Sequence, residues 1–305
     1  MGITLQGTGI SCDAARSEAL TFLSHAGVRT RARRLIVTRE TAALAGIPEE
    51  RIALSPPLGE PFSLGRLTLT LLASGYLPGS AHLLVVHPGG RRTLYVSRLG
   101  GSPARAPLSL LACDVLHLAP DLADPARAGC VPGGEAALVA RTVRAFGEGL
   151  VPVLLLPVPA ILARVAPVLM DAGIEVEGSG PVAAASLRLR GLGIRSPDVP
   201  RTRGEPGPGR AVLVPLGPAG RLPRLPRNRL LLAVIDAGDP VPAGDVDEVL
   251  RIAHAAGLDA YADIVEASGA REVHVDAGLG VLAHGPGPAG RSIRWFAPAS
   301  QETIA

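Results

Sequence analysis

The sequence predicts an α/β protein in which a β-rich front part is followed by an α/β middle and an α/β tail. Short apolar segments separated by turn residues occupy residues 1–99. From about residue 134, helical apolar spacing alternates with continuous apolar runs, a pattern typical of β-α-β units and a parallel sheet. Insertion of the middle segment into a larger α/β fold is one architecture that agrees with this order.

The front part contains several short apolar segments that we interpret as strands. The Pro88-Gly89-Gly90-Arg91 segment between the last two predicts a hairpin turn. A short helix is predicted over Glu40–Ala45. The strands are predicted at Ile3–Leu5, Arg34–Val37, Leu67–Leu72, His82–His87 and Thr93–Val96.

The middle and the tail combine helices with strands. Gly173 marks the end of one predicted helix, because glycine readily adopts the left-handed conformation that follows a helix. A loop rich in Pro, Gly and Arg is expected over Arg195–Gly209. Helices are predicted at Glu135–Glu148, Ala160–Ala172, Asp245–Ala256 and Leu258–Ser268, and strands at Val151–Leu156, Ile174–Val176, Ala211–Pro215, Arg229–Ile235 and Glu272–Val275.

Composition excludes several classes of protein. The 305 residues are 47% hydrophobic, which argues against global disorder and allows one large or two modest domains. All 30 basic residues are Arg, and the net charge of +3 is too small to imply a polyanionic partner by itself. Aromatic residues make up only 3% of the chain, which argues mildly against a surface that stacks single-stranded bases.

Cysteine usage and hydropathy predict a cytoplasmic protein without a membrane span. Cys12, Cys113 and Cys130 form no CxxC pair, and their odd number, without a secretion signal, fits a reducing compartment. The most apolar window, Leu150–Leu169, contains Arg164 and four prolines. We interpret it as a buried strand that runs into a helix rather than as a membrane helix.

Several segments together carry a resemblance to a known family. An apolar run ends in Ser24-His25, twelve residues after Asp13; later segments read LIVTRETAAL (residues 35–44), ASGYLPGSA (73–81), CDVLHLAP (113–120) and SGAREVHVDAG (268–278). In this order they resemble motifs of the metallo-β-lactamase/β-CASP nucleases. The similarity is greatest to the bacterial DNA ligase-associated exonucleases, also called mRNA 3′-end processing factor-like proteins. It covers most of the chain.

The resemblance implies a particular α/β architecture. The family fold is a metallo-β-lactamase-like αββα sandwich with a smaller inserted α/β domain of the β-CASP type. Residues 1–126 would form the first part of the core, residues 127–240 the inserted domain, and residues 241–305 the return to the core.

The departures from the family motifs fall on the metal ligands. By this resemblance, zinc ligands of the family are replaced in this chain at Gly27, Arg29, Thr30, Tyr76, Leu99 and Ala277. Asp13 and His25 are the same residues as in the family. A further ligand position falls on His254 or Ala255, depending on a one-residue shift in alignment. A zinc site needs at least three protein ligands, and a two-metal hydrolase also needs a bridging carboxylate. We therefore expect no metal ion, no other cofactor and no catalytic residue.

Three hypotheses about function follow. The first is a catalytically inactive homologue of these nucleases that acts as a scaffold or regulatory subunit beside an active nuclease, ligase or helicase. The second is a nucleic-acid-binding module that does not cleave. The third is an enzyme with new chemistry around Asp13, His25, Arg29 and Tyr76. For the second, the candidate phosphate contacts are Arg31, Arg33, Arg34, Arg224 and Arg227.

Overall fold

The computed structural model describes residues 2–100, 111–119, 134–156, 161–194, 198–207, 209–216, 225–236, 246–252, 258–275 and 294–296. The chain forms two compact units. The first contains Met1–Thr41, Pro48–Val131 and Ala255–Ala305, and the second contains Ala42–Ile47 and Pro132–His254. The predicted mixed α/β fold is confirmed.

In chain order the described elements are β1 (Ile3–Leu5), β2 (Ile10–Cys12), β3 (Leu20–Phe22), β4 (Leu35–Ile36), α1 (Arg39–Ala45), a 3-10 helix (Glu49–Arg51), β5 (Ile52–Leu54), β6 (Pro61–Leu64), β7 (Leu67–Ala73), β8 (Ala81–Val86), β9 (Arg92–Val96), β10 (Val115–Leu118), α2 (Glu135–Gly147), β11 (Val151–Leu156), α3 (Leu162–Asp171), β12 (Glu175–Gly178), α4 (Gly180–Gly191), β13 (Arg210–Pro215), β14 (Arg229–Asp236), β15 (Glu248–Ile252), α5 (Leu258–Ser268), β16 (Glu272–Val275) and β17 (Arg294–Phe296).

The first unit contains two sheets that share one hydrophobic core. One has the order β1-β2-β3-β4-β5, and the other has the order β17-β16-β10-β9-β8-β7-β6. Phe22 and Ile36 of the first sheet belong to the same buried cluster as Leu94 and Tyr95 of the second. Ile264 of α5 joins this cluster. Burial of these apolar faces therefore holds the two sheets together.

The antiparallel part of the larger sheet follows from its turn residues. Strands β6, β7, β8 and β9 pair as antiparallel neighbours, whereas β9, β10, β16 and β17 run parallel. The predicted hairpin lies between β8 and β9. Its Gly89 and Gly90 have φ angles of 92° and 89°, which only glycine adopts readily.

The second unit is built on a parallel sheet of order β12-β13-β11-β14-β15, which confirms the parallel sheet predicted for the middle of the chain. Helices α2, α3 and α4 pack on its strands. The central strands β11, β13 and β14 carry continuous apolar runs because both of their faces are covered. Val153, Val212 and Ala233 from these strands are completely buried together.

Two predictions about the middle and tail are corrected. The helix predicted over Asp245–Ala256 is wrong, because Glu248–Ile252 forms β15, a strand parallel to β14. Val246, Val249 and Leu250 fall at i, i+3 and i+4, a spacing typical of a helix, and the pairing with β14 decides the outcome. Helix α4 was not predicted, since its small and apolar residues show no one-sided pattern and Leu187 is 68% exposed.

The apolar window at residues 150–169 becomes strand β11 followed by helix α3. Among the described residues, none of the helices is long and apolar enough to cross a membrane. Cys12 and Cys113 are buried and form no disulfide. Burial raises the pKa of the Cys12 thiol well above its ordinary value, and the neighbouring Asp13 adds to this.

Candidate functional site

A carboxylate at the end of β2 joins three elements of the first unit. Asp13 accepts hydrogen bonds from the Ser24 backbone N–H (2.8 Å), the Ser24 hydroxyl (2.5 Å) and the Tyr95 hydroxyl (2.8 Å). Ser24 follows β3, and Tyr95 lies in β9. The φ angle of Asp13 is 51°, a left-handed conformation that Asp tolerates better than most residues. This carboxylate thus fixes the ends of strands from both sheets.

The His25 imidazole is enclosed by its own loop. His25 is only 8% exposed, and its Nδ1 accepts a hydrogen bond of 3.1 Å from the Gly27 backbone N–H. Its ring meets the Tyr76 ring edge to face, with centroids 5.2 Å apart. A Cβ atom on residue 27 would lie 3.0 Å from the imidazole, so glycine makes room for the ring. The lone pair of Nδ1 is therefore engaged within the protein.

Tyr76 and Leu99 stand where the resemblance places a histidine and a bridging aspartate. Tyr76 is 4% exposed and Leu99 is completely buried. Arg98 Nη1 donates a 3.0 Å hydrogen bond to the Tyr76 hydroxyl, and its guanidinium carbon lies 5.4 Å from the centre of the Tyr76 ring. The first position therefore carries the Tyr76 phenol, which Arg98 holds in place, and the second carries the buried aliphatic side chain of Leu99.

The loop after His25 is anchored at several points. The Thr30 hydroxyl donates to the Ala14 carbonyl (2.6 Å), and the Arg31 N–H donates to the Ala15 carbonyl (2.8 Å). The Arg51 guanidinium donates to the carbonyls of Thr30 (2.9 Å) and Ala32 (2.7 and 2.9 Å). Thr30 thus supports the loop, whereas the Arg29 side chain is exposed.

The ASGYLPGSA segment forms a compact turn next to this loop. The Ser80 hydroxyl donates to the Leu77 carbonyl (2.6 Å) and accepts from the Leu77 N–H (2.9 Å), while Ser74 bonds to Ser80. Gly79 has a φ angle of 75°, and its carbonyl accepts a 2.7 Å hydrogen bond from the Thr38 hydroxyl. The segment therefore requires glycine and serine at these positions for structural reasons.

We compared the chain with known proteins. No family model and no curated protein matches the sequence. A crystal structure of a protein of unknown function from Enterococcus faecalis V583 matches with a TM-score of 0.61 and 16% sequence identity. The match covers 92% of this chain and 79% of that chain. At this level of identity the likeness concerns the fold alone, and it supports a mixed α/β architecture over most of the chain.

Among the described residues, the side chains at the positions that the resemblance assigns do not fit a two-metal centre. Within the described residues, no group of three or more His, Cys, Asp or Glu side chains is placed to hold a metal ion. The Asp13 carboxylate already accepts three hydrogen bonds, and His25 Nδ1 accepts one. The positions His254 and Ala277 lie outside the described residues. We therefore derive no reaction step through a metal.

The candidate phosphate contacts fall on different parts of the fold. Arg31, Arg33 and Arg34 are exposed on the anchored loop of the first unit. Arg227 is exposed in the second unit, just before β14. Arg224 lies outside the described residues. The structure thus brings three of the five predicted arginines together.

The structural roles of three residues at the site were not predicted from the sequence. Tyr95, Arg98 and Arg51 hold Asp13, Tyr76 and the Thr30–Ala32 backbone, respectively. Alternation along β9 indicates only that Tyr95 shares a face with Thr93. It does not indicate a carboxylate partner 82 positions away in sequence. Such partners become visible only when the two sheets are packed together.

Proposed function

We propose that this chain is a metallo-β-lactamase/β-CASP nuclease homologue that has lost its metal centre and acts as a scaffold or regulatory subunit in nucleic-acid processing. One observation carries the proposal. At the described positions where the resemblance places lost ligands, the chain has an exposed arginine and residues that support the fold: Gly27, Thr30, Tyr76 and Leu99.

The finer architecture belongs to the same proposal. We assign the first unit to a metallo-β-lactamase-like αββα sandwich and the second to an inserted β-CASP-like domain. The insertion expected at residues 127–240 then extends through β15 (Glu248–Ile252), which pairs with β14 of the second unit. Two features support this assignment: the two sheets share one core, and the compact unit with a parallel sheet interrupts the first unit in sequence.

The chemistry of the site supports an inactive protein. Two-metal hydrolysis needs carboxylate and imidazole ligands that converge on the ions, with one carboxylate bridging them. Leu99 has no donor atom, and Tyr76 is oriented by Arg98. Asp13, His25 and Tyr76 instead fix the loop between β3 and β4, so these residues preserve a surface rather than activate water.

The first experiment measures the zinc and manganese content of the purified full-length chain. A nuclease assay on single- and double-stranded DNA and RNA uses the same sample. We expect no stoichiometric metal and no cleavage. Metal near two equivalents together with cleavage would overturn the proposal, because ligands would then come from residues outside those the resemblance assigns.

The second experiment asks for the partner. We expect the tagged chain to recover an active nuclease, ligase or helicase from its native cells in a stoichiometric complex. A heat-denatured sample of the tagged chain serves as the control for capture through exposed apolar surface. Failure to recover any such enzyme in a stoichiometric complex would reject the scaffold role even if the chain proves inactive.

A further inference from the structure

The anchored loop of the first unit carries a row of arginines that we call the arginine ladder: Arg29, Arg31, Arg33 and Arg34. All four side chains are exposed. Ala32 between them is completely buried, and Thr30 is turned inward to the Ala14 carbonyl. Within the part of the chain that the structure describes, none of the four guanidinium groups takes part in an ion pair.

The backbone of the ladder is held in place before any partner arrives. Bonds to Ala14 and Ala15 fix it on one side, and the Arg51 guanidinium fixes the carbonyls of Thr30 and Ala32 on the other. The Arg34 carbonyl accepts a 2.9 Å bond from the Thr21 N–H. A pre-organised backbone lowers the entropy lost on binding. Four like charges on one short fixed segment also repel each other, and an anionic partner relieves that repulsion.

The spacing of the ladder fits an extended peptide. Exposed and inward side chains alternate from Arg29 to Arg33, as they do along an extended chain, in which residues i and i+2 lie about 6.6 Å apart. Acidic residues at every second position of a partner strand repeat at the same interval. The planar guanidinium fork also matches a carboxylate in a bidentate pair.

A nucleic acid fits the same surface less well. Single-stranded binding normally adds aromatic side chains on which bases stack. None of the exposed large apolar side chains among the described residues is aromatic; they are Leu58, Val143, Met170 and Leu187. Even if fully extended, the segment from Arg29 to Arg34 would span only about 16 Å, so it reaches few phosphates.

We propose that the arginine ladder binds an extended acidic segment of a partner protein, with Asp or Glu at alternate positions. The inference rests on the proposed scaffold function and specifies the chemistry of its partner. It places the contact on the loop that, in the resembled nucleases, would carry metal ligands.

The test measures binding of the full-length chain to a synthetic peptide of alternating Glu and Ser residues, by fluorescence anisotropy at several salt concentrations. A second peptide has the same composition with its Glu residues in one block. DNA probes, one single-stranded and one duplex, carry the same charge. We expect the alternating peptide to bind several-fold more tightly than the block peptide and the DNA probes, with affinity that falls as salt rises.

Two charge-reversal variants separate the ladder from general charge. The variant R31E/R33E should weaken peptide binding by at least ~10-fold, because both cations at the centre of the ladder are reversed. The control R66E/R203E reverses two exposed arginines elsewhere and should leave binding within ~2-fold. Circular dichroism and thermal melting confirm that both variants fold.

The outcomes are distinct. Absence of peptide binding, equal loss in both variants, or equal affinity for the alternating and block peptides would overturn the inference. Tighter binding of either DNA probe with the same sensitivity to R31E/R33E would assign the ladder to nucleic acid instead. Each of these results leaves the metal and cleavage measurements unaffected, so failure of the ladder and failure of the pseudo-nuclease proposal can be told apart.

Discussion

The Asp13 carboxylate connects strands from both sheets of the first unit. It binds the Ser24 backbone, the Ser24 hydroxyl and the Tyr95 hydroxyl, and the Asp13 backbone N–H donates to the Phe22 carbonyl at 2.8 Å. Hydrogen bonds to a charged acceptor are stronger than neutral ones. The same bonds offset the strain of the left-handed φ angle. Loss of the carboxylate charge should therefore lower the free energy of unfolding.

The substitution Asp13→Asn tests this role. Asparagine tolerates the left-handed conformation, so the backbone is preserved while one acceptor oxygen becomes a donor. We expect the free energy of unfolding to fall by about 2–3 kcal/mol, since hydrogen bonds are lost and a donor faces the Ser24 and Tyr95 donors. Urea denaturation followed by circular dichroism measures the change.

The matched variant Tyr95→Phe removes one donor and keeps the carboxylate. Its cost should be about 1 kcal/mol, clearly less than that of Asp13→Asn. Equal stability of Asp13→Asn and the unmodified chain would show that the carboxylate charge does not fix these strands.

Gly79 gives a second prediction at the scale of one residue. A Cβ atom there would lie 2.5 Å from Glu40 Cβ and 2.6 Å from Thr38 Oγ1, at a φ angle of 75°. We expect Gly79→Ala to cost about 3 kcal/mol or more, because steric overlap adds to backbone strain. Thermal and urea unfolding measure the effect.

Gly65 provides the control for backbone strain alone. Its φ angle is 59°, and a Cβ atom would meet nothing within 4 Å. Gly65→Ala should therefore cost only about 1 kcal/mol. Similar losses in the two variants would mean that the close approach of Glu40 and Thr38 contributes nothing.

At the scale of elements, the sequence predicts helices and strands correctly where a single hydrophobic pattern dominates the segment. Val151–Leu156 and Glu272–Val275 were predicted with the observed bounds. The first is a continuous apolar run, which is typical of buried parallel strands, and the second alternates polar residues with valine. The apolar spacing around Val249 fitted a helix and a strand alike, and only the pairing with β14 decided for β15. The contact of Tyr95 with Asp13 depends on how two sheets pack, which local patterns do not encode.

Helix α2 and strand β15 are joined by a charged contact that permits a prediction at this scale. Arg141 donates two hydrogen bonds to Glu248, of 2.8 and 2.7 Å. The hydrogen bonds from Arg141 lower the pKa of Glu248 from its ordinary value. The Glu248 side chain is 44% exposed, so solvent screens most of this interaction.

We expect a double-mutant cycle of Arg141→Ala and Glu248→Ala to give a coupling energy of about 0.5–1 kcal/mol in urea. The coupling should shrink as salt is added. Arg164 and Glu135 serve as the control pair, since their 3.2 Å contact through one guanidinium nitrogen lacks the bidentate geometry and should couple less. A larger coupling for the control pair would contradict this argument.

At the scale of the whole molecule, stability should depend on pH through a buried histidine pair. His117 of β10 and His274 of β16 are stacked, with ring centroids 4.5 Å apart, and His117 is 4% exposed. Burial and the neighbouring His274 lower the pKa of His117 from 6.5 to about 4. Burial also lowers the pKa of His274, although Glu272 opposes this effect. Both rings are therefore neutral in the folded protein at neutral pH.

The sign of the pH dependence follows from the unfolded chain. Unfolded His117 binds a proton near pH 6.5, whereas the folded protein resists it until about pH 4, so acid favours unfolding between these values. The stability that neutral His117 contributes is fully present above the pKa of His117 in the unfolded chain and is lost as the pH falls toward its pKa in the folded protein. We expect protonation of His117 alone to lower the free energy of unfolding by about 2 kcal/mol between about pH 7.5 and about pH 5.

Urea denaturation across this range measures the slope, and His117→Phe isolates its origin. Phenylalanine keeps an aromatic ring against His274 but cannot bind a proton, so the acid-dependent loss should shrink by most of that amount. His87→Phe is the comparison variant. Burial and the neighbouring Arg91 also lower the pKa of His87, but His87 is partly exposed and lies outside the stacked pair, so this variant should reduce the slope by less than His117→Phe. If His117→Phe retained the full slope, other groups would titrate in its place, and the buried pair would not set the acid sensitivity of the fold.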